Sequence, residues 1–126
     1  MPTKDYYDRL LGDAKSFYFS TGAISCPALN GKRVYFNRRG FQHLIRKGRM
    51  YRSLFEITRR CKLIPLAVQT VKTAEKIFYQ ETIFSEKTNA TFWTLKKTYV
   101  SPNVTVFVII RKLNDGKIHF FSVYDE

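Results

Sequence analysis

The spacing of apolar positions divides the chain near residue 77: before it they recur at helical intervals, and after it the segments read as strands. Tyr7, Leu10, Leu11 and Ala14 predict a short helix within 3–15, with Thr3 as its N-cap. The aromatic run of SFYFSTGAISCPALNGK (16–32), followed by Gly22, Pro27 and Asn30-Gly31, predicts an irregular arm. Lys32 to Phe36 predicts a strand, and Asn37 an N-cap for a helix over 38–47 that stops at Gly48. On that helix Phe41, Leu44 and Ile45 form the core-facing stripe. At about 100° per residue, His43 points roughly away from it, beside Arg39, Arg46 and Lys47. Ser53-x-x-Glu56 is a capping box that opens a helix over 54–62. Pro65 is expected to break that helix and to start a third over 65–76, with Ala67, Val71, Ala74 and Phe78 on one face.

IFYQET, ATFWTLKKTYV, VTVFVIIRKL and KIHFFSVYD then predict a β-meander, rich as they are in β-branched and aromatic residues. The expected architecture is α+β, with N-terminal helices packed on a roughly four-stranded antiparallel sheet. Residues 1–31 would form an N-terminal arm, and 32–126 the main part of one compact domain. Asn114-Asp115-Gly116 fits a three-residue hairpin loop, which would set Arg111 opposite His119 on one face. A two-residue loop would put Lys112 there instead.

Charge changes this picture from a fold to a partner. The chain carries a net charge of +12. Residues 32–62 hold eleven of the twenty-two Lys and Arg residues against the single carboxylate of Glu56. Such a stretch calls for a polyanion. The longest apolar run, 104–110, is too short to span a bilayer. The N-terminus lacks the pattern of a secretory signal, so a cytoplasmic location is expected, with delivery of the intact chain into another cell left open. Cys26 and Cys61 show no metal or redox spacing and read as structural thiols; no metal and no cofactor is expected.

Only two histidines occur, His43 within the basic stretch and His119 near the C-terminus. RNA cleavage without a metal needs a base for the 2′-hydroxyl, an acid for the departing 5′-oxygen and cations for the phosphorane. Two histidines among arginines and lysines suit those tasks. The ordinary reading of each histidine is plainer. A helix-surface His is most often only solvated, and a His on an apolar strand is most often a packing residue.

VYFNRRGFQHLIRKGR, RRCKLIPLAVQTV and VFVIIRKLNDGKIHFFSV together resemble the phage-type nucleases of the barnase, EndoU, colicin D and RelE superfamily, over about residues 33–124. The resemblance implies helices followed by a four-stranded antiparallel sheet, and a metal-independent endoribonuclease of toxin or phage-effector type. It implies His43 as the helix histidine, Lys47 as a phosphate ligand, and Arg111, His119 and Ser122 as polar positions of the sheet. Ser122 stands three residues from His119, so only a bulge would bring the two to one face. Residues 1–30 have no counterpart in the resemblance. The resulting expectation makes His43 and His119 an acid–base pair, with Arg111 and Lys47 on the phosphorane and Arg39, Arg46, Arg49 and Arg52 on flanking phosphates. Cleavage would leave a 2′,3′-cyclic phosphate. Partners would be RNA, whether tRNA, rRNA or mRNA, and an acidic antitoxin or immunity protein; no membrane is implied. Two rivals use the same face: a non-catalytic nucleic-acid-binding module, and an adaptor docking on an acidic protein.

Overall fold

Thr3 caps the first helix as expected, its hydroxyl accepting from the Tyr6 N–H. The helix, α1 (Lys4–Thr21), runs well past residue 15 in this computed structural model, which describes residues 3–101, 103–114 and 116–126. The physical reason lies in the aromatic run. Of Phe17, Tyr18 and Phe19 only Tyr18 is buried, and with Leu11 and Ala14 it completes a helical stripe. The expected irregular arm is therefore replaced by ordered elements. Gly22, at φ 67°, turns the chain into β1 (Ala23–Cys26), and a single 3-10 turn at Pro27–Leu29 leads to β2 (Lys32–Tyr35). These two strands pair antiparallel from Ala23↔Tyr35 to Cys26↔Lys32.

Asn37 caps α2 (Arg38–Ile45) by accepting from the Gly40 N–H. The helix ends before 47, because Arg46–Lys47 (β3) and Met50–Tyr51 (β4) form a small antiparallel ribbon around Gly48, which has a positive φ of 66°. Ser53 opens α3 (Leu54–Thr73), and Pro65 does not break it. An internal proline costs roughly 3 kcal/mol or more. Cys61, Ile64, Ala67 and Val71 nevertheless keep one continuous buried stripe across it, and burial of that stripe outweighs the lost bond. Phe78, expected on the helix face, lies beyond its end and is exposed.

The remaining strands are β5 (Tyr79–Phe84), β6 (Asn89–Tyr99), β7 (Val104–Leu113) and β8 (Ile118–Asp125). They form the expected antiparallel meander, but the sheet is larger and mixed. Its order is β1-β2-β8-β7-β6-β5, with β2 parallel to β8 through Val34↔Ile118 and Tyr35↔His119. The inner face buries Leu95, Val106, Val108, Ile110, Phe120 and Val123, and α3 crosses it towards the end that carries Tyr99 and Asp125. Where β2 stops, α2 takes its place beside β8. A methyl group at Gly40 would overlap the Phe120 carbonyl and the Tyr18 hydroxyl, so glycine permits this approach. Tyr18 locks the junction: its hydroxyl donates to the Asn37 carbonyl at 2.7 Å, and its ring lies 5.2–5.7 Å from those of Phe36, Phe41 and Phe120. Helix α2, and with it His43, is thereby fixed against the sheet.

Candidate active site

The β7–β8 register sets Arg111 opposite His119, as expected, although Asp115 of the connecting loop lies outside the described residues. Arg111 donates from Nε to Nε2 of His119 at 3.2 Å. His119 is 4% exposed. Burial, then the Arg111 charge, pushes its imidazole down to about pH 4, against a hydrogen bond to the Lys117 backbone that pulls the other way. His119 is therefore neutral near pH 7, and the lone pair a base would use is already occupied by Arg111.

His43 comes to the same place from α2. Its ring centroid lies 4.2 Å from that of Phe121, which covers one side and leaves it half-buried rather than fully solvated. The Arg111 guanidinium lies over the same phenylalanine, 4.5 Å from the centroid, and Phe92 packs edge-on beneath it. Burial, followed by the charges of Arg111, Arg39 and Arg52, holds His43 below its ordinary value of 6.5. Arg111 is itself lowered by burial and by Arg39.

Phe121 owes its position to a break in register. Ile109 pairs with Ser122 while Ile110 pairs with Phe120, so Phe121 is the extra residue of a bulge. Ile109 shares a face with Arg111, and the bulge thus turns Ser122 to the side of Arg111 and His119. The Ser122 hydroxyl is nevertheless held elsewhere. It accepts from Arg60 at 2.8 Å, and Arg60 also binds the Val123 carbonyl and Glu56.

The other expected ligands divide into two groups. Arg52 joins the site, donating from Nε to the His43 carbonyl at the C-terminus of α2, where a cation meets the negative end of the helix dipole. Lys47 lines an open concavity with Met50, Tyr51, Arg52, Glu56 and Arg60. Arg46 instead stacks on Tyr51 at 4.5 Å and donates to its hydroxyl, and Arg49 lies exposed in the ribbon turn. Neither is drawn to His43. Phe121, Phe92 and Arg60 carry the site without having been singled out in the sequence. Phe121 depends on a bulge that no local pattern announces, and Arg60 meets Ser122 only through packing between α3 and β8, far apart in sequence.

No protein-family model matches the chain, and neither a curated protein nor a solved structure is significantly similar to it. Among the described residues the ion pairs are Arg59–Asp125 and Arg60–Glu56, so Arg39, Arg52 and Arg111 face His43 with no carboxylate bound to them. No cluster of three or more His, Cys, Asp or Glu that could hold a metal occurs among those residues. Cys26 and Cys61 are buried free thiols, and burial pushes Cys61 up to about 11, which leaves neither suited to nucleophilic work. No helix among the described residues is long and apolar enough to cross a membrane.

Proposed function

We propose that the protein is a metal-independent endoribonuclease in which His43, not a pair of histidines, is the acid–base group. The carrying observation is a half-buried imidazole held below its ordinary value by burial and by three arginines that make no ion pair among the described residues. A phosphodiester drawn to Arg39 and Arg111 would bring its neighbouring 2′-hydroxyl to an imidazole able to accept a proton. The 2′-oxygen then bonds to phosphorus as the bond to the 5′-oxygen breaks. His43 takes the 2′-hydroxyl proton, and the departing oxygen, its charge met by the arginines, is protonated from solvent. The product is a 2′,3′-cyclic phosphate and a 5′-hydroxyl. His119 serves as a positioning residue that aims Arg111. The resemblance to the barnase, EndoU, colicin D and RelE nucleases supports the same activity. An acidic antitoxin or immunity protein is the partner that would silence this face in the cell that makes it.

One observation favours the non-catalytic rival: the occupied Nε2 of His119 removes the most obvious general acid. Incubation of the purified protein with total RNA in EDTA separates the two. Discrete cleavage that leaves cyclic phosphate ends, and that His43→Ala abolishes, is the expected result. RNA bound but left whole by wild type would overturn the enzyme reading and leave the binding module.

A further inference from the structure

A second cationic concavity, of about 600 Å³, opens at the hairpin end of the sheet and belongs to no part of the candidate active site. Its position follows from the register. Trp93 pairs with Ile110, and Lys112 with Ile118, so the wall of the concavity continues the inner face of the sheet. Helix α3 meets that face at the opposite end, where Thr70 bonds Tyr99, Thr73 bonds Lys97 and Arg59 bonds Asp125. The hairpin end is not covered by α3, and half-buried Trp93 is its accessible apolar surface, with the buried Leu29 side chain behind it.

Lys32, Arg33, Lys112 and Lys117 line this space, and no carboxylate does so among the described residues. None of the four makes an ion pair among those residues. The volume lies within the range of about 300–1,000 Å³ that takes a whole small molecule, which is more than a lone phosphate needs. Four cations around an indole are what an unpaired nucleotide requires, with phosphates on the ammonium and guanidinium groups and the base against the ring.

We infer that this concavity is a second binding site for single-stranded RNA, with a base stacked on Trp93 and the flanking phosphates on Arg33, Lys112 and Lys117. The inference rests on the reading of RNA as ligand, but not on cleavage. Lys112 follows Arg111 and Ile118 precedes His119, so the two sites stand back to back on adjacent residues. A strand passing round the hairpin end would engage both.

Trp93 is the sole tryptophan and therefore reports on this site directly. The test titrates wild type, His43→Ala and the double variant Arg33→Gln/Lys117→Gln with a labelled 2′-O-methyl RNA oligomer of about eight nucleotides, which cannot be cleaved. Anisotropy of the label and Trp93 emission are both followed. Arg33 and Lys117 are exposed, so the double variant should fold, and circular dichroism checks that. Saturable quenching is expected in wild type and His43→Ala, with affinity weakened about tenfold or more in the double variant. Binding with unchanged Trp93 emission, or full affinity in the double variant, would overturn this site and leave the active-site reading intact. Equal quenching by inorganic phosphate alone would overturn the stacking of a base. Quenching without cleavage of ordinary RNA would uphold this site and remove the enzyme. Failure to bind at low salt would overturn both.

Discussion

His119 shows how one hydrogen bond decides a residue's task. A histidine opposite an arginine on a strand reads as an acid–base group until the donor and acceptor atoms are named. Arg111 donates to His119, and an imidazole pushed down to about 4 is almost wholly in its neutral form at neutral pH, with no second proton to give as an acid. The role left to it is to fix the guanidinium over Phe121. Glutamine also presents an acceptor, so His119→Gln is expected to keep most of the cleavage rate, while His119→Ala loses about ten- to a hundredfold. The same kinetics read His43. A base must be neutral, and burial and three arginines hold His43 below 6.5. In wild type, kcat/KM is therefore expected to stay level from pH 8 to about 6.5, to fall only below that, and to show no second-histidine limb. His119→Gln should leave that profile unmoved. A bell centred between two histidine values, or a Gln variant as inactive as Ala, would return His119 to acid–base work.

Elements that carry their own signals were legible in the sequence, and those made by distant contacts were not. The side chains of Thr3, Asn37 and Ser53 each cap the helix that the sequence leads one to expect. The hairpin register that sets Arg111 opposite His119 follows equally from local turn chemistry. Pro65 misleads because a proline's local cost is visible in sequence, whereas the burial that overrides it is not. The parallel union of β2 with β8 has no local signature at all, and neither has the bulge at Phe121. Gly40 stands between these cases. It lies within a helix, where glycine is a poor choice, and only the nearness of Phe120 and Tyr18 explains it. Gly40→Ala would favour the isolated helix yet drive α2 off the sheet, at a cost of roughly 1–3 kcal/mol. The expected outcome is a lower urea midpoint together with lost cleavage, because His43 rides on α2. Unchanged stability would mean that α2 does not seat as closely as described.

For the whole molecule, a formal charge counts cations, whereas binding depends on the cations still able to meet a phosphate. Arg39 and Arg59 illustrate the difference, since both belong to the basic stretch 32–62 and both are exposed. Arg59 is bound to Asp125 at 2.7 Å, and Arg39 faces the His43 site with no carboxylate partner among the described residues. Release of counterions from a single-stranded nucleic acid contributes about 0.7 to the slope of log affinity against log salt for each phosphate neutralised. Arg39→Gln is therefore expected to weaken RNA binding and to flatten that slope by about 0.7. Arg59→Gln should leave the slope nearly unchanged, because the cation it removes is already neutralised by Asp125. Titrations of one non-cleavable RNA over a series of salt concentrations measure both variants. Equal slopes for the two would show that RNA responds to the overall charge of +12 and not to the cluster around His43. A slope altered by Arg39 alone would locate the phosphate path across the face that His43, Arg111 and Phe121 define.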